Sequence, residues 1–456
     1  MSLKVDSRKV KKGDTFIAIR GLTEDGHKYI EDAIKNGATK IICEEGNYSV
    51  ETLIVENTKD YLDKEIKKLF DETLEDMILI GVTGTNGKTT TTFFIYELFN
   101  LLGIKSAVLG TIGFYVDKEI IPTSNTTPGQ IELYELFLEA KKRGCKAVVM
   151  ELSSHSLYHD RIKGLSFDAA AFTNLTQDHL DFHKTMKEYK NTKLKILNYL
   201  KKDAFIVVNN DDKYSKDFIK ENSITLGKKD SNLIINEINL FKDSSNVKFN
   251  YENKSYEINL NFNADFNVYN FLTALMIVNK FGFDVDNILK VSDKLYYPEG
   301  RNEKIDVFGA EVIIDYAHSP DAVNKMIDTY RPLTRGKLIT LTGCDGSRDR
   351  GKRPKMARIA GEKSDFAILT HTHPFDEDPD HVKKDVLKGA TKNSIFIDDR
   401  KEAIRKGLNM LEKGDTLLLL GMGRETYQTY GKEIRPHSDY EEVMKFIKDK
   451  NKYPPA

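Results

Sequence analysis

The sequence predicts an α/β protein of three domains: a small N-terminal α/β domain, a central domain on a mostly parallel sheet, and a C-terminal Rossmann-like domain. Three observations carry this. A glycine-rich loop, Gly81 to Thr92 (GVTGTNGKTTTT), stands between a short apolar run, Met77 to Ile80, and a segment of helical apolar spacing, Phe93 to Leu102. Short apolar strands alternate with helical segments on both sides of the turn Pro298-Glu299-Gly300-Arg301. The chain has 456 residues, enough for about three domains of roughly 150 residues. The expected boundaries are 1–75, 76–301 and 302–456.

Residues 1–75 mix strand-like runs (Thr15–Ile19, Lys40–Cys43, Thr52–Val55) with one helical pattern, Tyr29–Asn36. Ser7 and Arg8 lie near a turn in Val5-Asp6-Ser7-Arg8-Lys9-Val10, which taken alone is a surface loop. In the central domain Ala107–Leu109, Ala147–Met150, Ala169–Phe172 and Ala204–Val208 read as strands, with helices at Ile131–Arg143 and Met186–Leu200. Lys248–Tyr251 and Tyr256–Leu260 alternate in polarity, as in an antiparallel hairpin, and a helix follows at Val268–Phe281. Glu311–Ile314, Leu338–Leu341, Phe366–Leu369, Ser394–Ile397 and Thr416–Leu420 form a second alternating series.

Composition narrows the partners. Lys and Arg number 69 against 70 Asp and Glu, so no global field favours nucleic acid or an anionic membrane. Cys43, Cys145 and Cys344 are far apart and form no metal or disulfide pattern. No apolar run approaches the ~18 to 20 residues that span a bilayer, and the N-terminus lacks a signal-peptide core. These features predict a cytoplasmic monomer with small-molecule partners, no nucleic acid and no membrane insertion.

The glycine loop has a physical purpose. Its backbone N–H groups can close around phosphate oxygens, the following helix N-terminus adds partial positive charge, Lys88 adds a full one, and the Thr89 hydroxyl can reach Mg²⁺. The generic pattern G-x-x-x-x-G-K-[ST] is broken by Val82 at its first glycine, which implies a variant nucleotide site. In an α/β sheet, ligands lie beyond the carboxyl ends of strands. There stand Asn125-Thr126-Thr127-Pro128, Glu151-Leu152-Ser153-Ser154-His155 and Thr173 to His179. Glu151 and His179 beside Thr89 suit a metal held mainly through oxygen; each alone reads equally as structural. Lys193 sits among exposed-looking positions and by itself reads as a solvated helix lysine. Asp315 ends a strand, where it can take ribose hydroxyls or merely cap the strand. Gly343 to Pro354 (GCDGSRDRGKRP) carries four basic residues suited to anions, or simply solvated. Gly421-Met422-Gly423-Arg424-Glu425 is a further strand-to-loop switch.

In order, DSRKV…GD, GVTGTNGKTT, SNTTP, ELSSHSL, NLTQDHLDFH, FNVYN, EGRNE, DYAHSPD and GSRDRGKRP resemble the Mur ligases of peptidoglycan synthesis over nearly the whole chain. The likeness is greatest to the branch that adds the third stem-peptide residue to UDP-MurNAc-L-Ala-D-Glu. It implies an N-terminal UDP-sugar domain, a central ATPase and a C-terminal amino-acid domain. It also implies an acyl-phosphate intermediate, with ATP and Mg²⁺ required.

Carried onto this chain, the resemblance makes Gly84, Thr85, Asn86, Gly87, Lys88, Thr89 and Thr90 the ATP loop. It puts Thr89, Glu151, His179 and Lys193 at the metal, with Lys88, His179 and Lys193 catalytic. Asn270 contacts adenine, Asp315 the ribose and Arg301 the phosphates. Ser7, Asn125, Thr126, Thr127, Ser153 and Arg161 hold the UDP-linked dipeptide; Arg348, His373, Phe375, Gly421 and Glu425 line the free amino acid's site. Lys193 matches the family's carbamylated lysine in Y-x-x-x-K, reversing the solvated reading. Carbamylation needs a neutral amine, hence a depressed pKa.

Three departures stand out. Diaminopimelate-using members carry D-N-P-R where this chain has Thr372, His373, Pro374 and Phe375, and phenylalanine cannot pair with a distal carboxylate as arginine does. The added residue is therefore expected to be a diamino acid other than meso-diaminopimelate. The family's G-K-G-H-E reads Gly421 to Glu425 as GMGRE. The chain also begins almost at the DSR motif, which in this reading leaves the uridine pocket less enclosed. The competing expectations are a related ligase, such as a folylpolyglutamate-synthase-like enzyme with another carboxylate acceptor, and a phosphate-loop ATPase switch without ligase activity.

Overall fold

The computed structural model describes residues 2–21 and 24–452. The chain packs as two compact units, one of Met1–Gly81, Gly103–Ala170 and Ile196–Ala204, the other of Val82–Leu102, Ala171–Lys195 and Phe205–Ala456. No helix among the described residues is long and apolar enough to cross a membrane.

The first unit opens with a four-stranded parallel sheet in the order Leu3–Lys4, Thr15–Ile17, Lys40–Cys43, Glu51–Ile54. The predicted loop at Ser7 is a single helical turn, Ser7–Lys9, whose cap Asp6 accepts from the Arg8 N–H. Sequence reading left the helix Thr58–Leu74 unassigned. Its buried Leu62, Ile66, Phe70 and Leu74 recur every fourth residue, and Asn57 caps it by accepting from Asp60 N–H. Phe70 meets Phe137 of the helix Gln130–Lys142 edge-on at 5.7 Å. Beyond them Ser106–Gly110 runs parallel to Ala147–Glu151, and an antiparallel pair, Gly113–Val116 and Glu119–Ile121, finishes that edge.

In the second unit the helix Lys88–Leu101 starts well before the predicted Phe93. Four consecutive threonines are poor helix formers, but tertiary contacts accommodate them. Thr92 Oγ1 donates to the Thr89 carbonyl at 2.9 Å, and Thr91 Oγ1 to Asn270 Oδ1 at 3.2 Å. The partner helix, Asp265–Lys280, is almost wholly buried, and the stacked pair Phe94–Phe262 seals the interface. The helix Met186–Leu194 ends earlier than predicted and passes into a 3-10 segment, Lys195–Tyr199. Leu200–Asn209, Ser223–Gly227 and Leu233–Leu240 pair in parallel, then Leu233–Leu240, Ser245–Tyr251 and Lys254–Leu260 form an antiparallel meander.

The C-terminal sheet of this unit has the order Glu303–Val307, Ala310–Asp315, Thr416–Leu420, Leu338–Cys344, Phe366–His371, Ser394–Phe396, parallel except at its first pair. Helices cover both faces. Ile313, Leu418 and Leu369 pack on one side with Val323, Ile327 and Met356, while Val312, Ile314, Leu417 and Leu419 pack on the other with Ile404 and Leu408. Double coverage explains why Leu417–Leu420 is unbroken apolar sequence rather than alternating.

Candidate functional site

The sheet in the second unit leads four strand ends to one place. Asp315 is followed by Tyr316, Cys344 by Asp345, His371 by Thr372 to Phe375, and Leu420 by Gly421 to Glu425. Hydrogen bonds tie these ends together: Gly421 N–H donates to Asp315 O at 3.0 Å, and Thr372 Oγ1 to Asp345 Oδ1 at 2.5 Å. Glu425 accepts from Tyr316 OH at 3.1 Å on one oxygen and meets His373 Nε2 at 2.7 Å on the other. Since His373 Nδ1 accepts the Thr429 N–H at 3.1 Å, the ring's proton sits on Nε2 and points at the carboxylate. Burial, then Glu425 and Asp345, push the Tyr316 phenol well up, so it stays a donor.

Around Glu425 the walls are aromatic. Phe375 stacks on His373 at 5.2 Å and lies under the Arg348 guanidinium, also at 5.2 Å. Phe375 holds φ at 51°, an uncommon conformation for a bulky residue. Two backbone bonds fix it there, Phe375 N–H to Thr429 O at 3.0 Å and Gly431 N–H to Phe375 O at 2.6 Å. Among the described residues no carboxylate pairs with Arg348, and neither Lys nor Arg pairs with Glu425.

The glycine loop lies in the same unit. Asn174 holds it, accepting from Thr85 N–H through its carbonyl at 2.8 Å and from Asn86 N–H through its side chain at 3.0 Å. Thr173 Oγ1 donates to Asn86 O at 2.7 Å. A Cβ at Gly84 would sit 1.9 Å from Thr173 Oγ1, so no other residue fits this cradle. Two lysines turn onto the loop: Lys88 Nζ donates to Gly84 O at 3.1 Å and Thr85 O at 2.9 Å, and Lys193 Nζ to Gly84 O at 2.7 Å. Lys193 is buried, not solvated as the residues alone suggested. Loss of water and then the Lys88 charge hold its amine well below the ordinary lysine value. Thr89 and Thr90 are buried at the helix start, and Arg301 Nη2 reaches Thr89 Oγ1 at 3.3 Å. Asn270 lies beneath the loop, donating to Asn267 Oδ1 at 3.1 Å. Asp315 accepts from Asn302 and Ala317 N–H groups; burial lifts its carboxyl above the usual range despite Arg301.

His179 caps the short turn Leu180–His183 with φ 53°, beside Asp178. Sequence reading overlooked Asp178 as a functional position. Buried, it faces Lys352 at 3.1 Å, His318 at 3.4 Å and His179 at 3.5 Å. Burial opposes its ionisation, but Lys352, His179 and His318 hold the carboxyl well below its ordinary value. The basic loop is likewise not simply solvated: Lys352 pairs with Asp178, and Arg353, fully buried, pairs with Glu377 and Asp385. Lys352→Met would remove the ammonium that pairs with buried Asp178 and whose charge also acts on buried Asp345. It is expected to cost about 3–5 kcal/mol, seen as a fall in unfolding temperature on the order of 10 °C. Adding Asp178→Asn should recover much of it, and a scan without that recovery would refute the pairing's weight.

The first unit gathers the other predicted positions. Glu151 Oε1 accepts from Thr111 N–H at 2.8 Å, a partner sequence reading missed. Thr127 Oγ1 donates to Glu151 O at 2.8 Å, Ser153 N–H to Thr127 Oγ1 at 3.1 Å, and Arg161 Nη1 to Thr127 O at 3.2 Å. Thr126 Oγ1 lies 3.4 Å from Thr111 Oγ1; Asn125 is exposed and donates to Ser124 Oγ at 3.2 Å. Ser7 is buried in the N-terminal sheet region, its carbonyl accepting from Asn36 at 3.0 Å.

A glycine cradle with two lysines, in one unit with a doubly wound sheet whose strand ends collect Arg348 and Glu425, defines a nucleotide-dependent enzyme. Comparison with known proteins gives the family. The descriptions "Mur ligase family, catalytic domain", "Mur ligase middle domain" and "Mur ligase, glutamate ligase domain" match residues 2–69, 82–278 and 300–423. A UDP-N-acetylmuramoyl-L-alanyl-D-glutamate--2,6-diaminopimelate ligase of Clostridium tetani (strain Massachusetts / E88) is 39% identical over 460 residues, 98% of this chain and 94% of that protein. A solved structure of the same named enzyme is 28% identical with TM-score 0.68, covering 99% of this chain and 95% of its own. MurF ligase from Thermotoga maritima in complex with ADP is similar in fold, at 20% identity and TM-score 0.72, covering 99% and 98%. The chain belongs to the Mur ligase family. It is an ATP-dependent ligase with the family's three-domain α/β architecture.

Proposed function

We propose that this ligase adds the third residue of the peptidoglycan stem peptide to UDP-MurNAc-L-Ala-D-Glu in the cytoplasm, as a monomer, and that the residue is a diamino acid other than meso-diaminopimelate. The domains are then 1–75 for the UDP-sugar, 76–301 for ATP and 302–456 for the amino acid. The observation that carries the amino-acid reading is the neutral aromatic wall. Arg348 supplies a positive charge for an α-carboxylate, and Glu425, which takes Tyr316 OH and meets His373 Nε2 and pairs with no Lys or Arg among the described residues, offers its carboxylate to a side-chain ammonium. Phe375 stands where a second carboxylate would need a cation. Relatives that this chain resembles are named for 2,6-diaminopimelate, and the expected preference sets this chain apart from them.

The residues fit the implied nucleotide. Gly84 lets the loop backbone close against Thr173, and Lys88 and Arg301 bring positive charge to the loop and to Thr89. For Mg²⁺, the described residues contain no group of three or more His, Cys, Asp or Glu able to hold a metal. Of the four positions expected at the metal, Thr89, His179 and Lys193 lie in the second unit, where an ion would be held by few protein atoms and otherwise by phosphate, and Glu151 lies in the first. Bound there, the metal would neutralise phosphate charge. Lys88 would hold the terminal phosphate while the acceptor carboxylate becomes an acyl phosphate, whose good leaving group the incoming amine displaces. The low basicity of Lys193 leaves a neutral amine able to take CO₂ and release a proton. The resulting carbamate would replace repulsion from Lys88 with attraction.

Phosphate release with UDP-MurNAc-L-Ala-D-Glu, screened across amino acids, tests this; turnover indifferent to acceptor and amine would sink it. Phe375→Arg should raise diaminopimelate-dependent turnover by roughly ten- to a hundredfold, the worth of a charge-assisted pair of about 1.5–3 kcal/mol. An unchanged amino-acid preference would remove the argument about the wall.

A further inference from the structure

We infer that Arg424 is a positioning residue that clasps the loop Gly421–Glu425 to the hinge Pro298–Glu303, the turn at the boundary expected between the second and third domains, so that Glu425 and Arg301 are set together. Its Nε and Nη2 grip Glu303 at 2.8 and 2.6 Å, a bidentate pair, and its guanidinium lies 3.4 Å from the centre of the Tyr440 ring. The same Glu303 accepts the Gly300 N–H at 2.9 Å. One carboxylate thus binds both segments.

The backbones interlock as well. A Cβ on Gly300, at φ +70°, would meet Arg424 N at 2.4 Å, and one on Gly423, at φ +56°, would meet Gly300 O at 2.8 Å. The clasp borders a cavity of about 360 Å³ lined by Asn261, Phe262, Tyr297, Glu299, Glu303 and Arg424 among others. With open space there instead of packed core, the clasp sets where the hinge rests.

Each side of the clasp leads to a different ligand site. Next to Gly300, Arg301 reaches Thr89 of the nucleotide loop and lies 4.4 Å from the Tyr316 ring centre. Next to Arg424, Glu425 takes the Tyr316 hydroxyl. Tyr316 therefore touches both outputs, and a shift of the loop is felt at Thr89.

The inference rests on the ligase reading only in requiring a nucleotide and an amino acid. Arg424→Gln in the full chain is expected to weaken binding of a fluorescent ADP analogue about tenfold, and to raise KM for ATP and amino acid together. KM for the UDP-linked acceptor should stay within about twofold. Glu303→Gln should do the same, and the double variant should add little to either single. Unchanged nucleotide affinity in Arg424→Gln, or additive singles, would overturn the clasp. If Arg424→Gln does not fold, Arg424→Lys decides: a smaller loss of nucleotide affinity supports the proposal, no loss refutes it. A wild-type chain that binds ADP yet forms no amide defeats the proposed function and leaves this inference standing.

Discussion

Lys88→Ala is expected to lower turnover by roughly three orders of magnitude with the fold intact, since removing one preorganised charge from a transition state costs about 10²- to 10³-fold, or more in a water-poor site. The side chain is not a structural strut. It is part-buried and donates to Gly84 O and Thr85 O, both of which belong to the loop it serves. Truncation leaves Lys193 on Gly84 O, so that carbonyl keeps a donor. Circular dichroism and unfolding temperature close to those of the unaltered chain, with phosphate release near background, are the outcome to look for. Ordinary turnover in Lys88→Ala would place the phosphates elsewhere.

Lys193→Ala should cost at least about 10²-fold, and acetate or formate should restore part of it, because a small carboxylate can stand where the carbamate would. The physical setting favours this chemistry. Tyr189 closes over the amine at 4.8 Å from ring centre to Nζ, and burial with Lys88 beside it disfavours the ammonium form. A buried ammonium would face a second cation over a shared carbonyl; a carbamate would face an attractive one. Complete activity in Lys193→Ala, or a loss that no carboxylate rescues, would rule out a required carbamate. Mass spectrometry of the intact protein at raised bicarbonate gives an independent reading.

Much of the scaffold was legible. Leu417–Leu420 and Ile41–Cys43 match their sequence readings because a buried strand run is apolar at successive positions. The helix Thr58–Leu74 was equally legible from its fourfold spacing and was overlooked. Other misreadings had causes outside local pattern. The four threonines after Lys88 resist a helical assignment by propensity, and only the tertiary partner Asn270 and the back-bond to Thr89 reconcile them. Lys193 looked solvated because its neighbours Lys190 and Lys195 are polar; nothing local says that its own face turns inward. Lys352 and Arg353 sit in a run of charges that reads as surface, yet their partners Asp178, Glu377 and Asp385 are 174, 24 and 32 residues away. Asp178 has the same explanation: its importance comes from Lys352 and His318, brought to it from distant segments.

By itself the sequence determined the alternation of strands and helices, the glycine loop, and the residue types at the strand ends, since these follow from periodicity and from chemistry carried within a few residues. Only the tertiary structure decided which lysine is buried, which tautomer His373 presents to Glu425, and that Arg424 grips Glu303 across the hinge. Each of those depends on a partner far along the chain, and burial is a property of the surroundings that no short stretch of sequence contains.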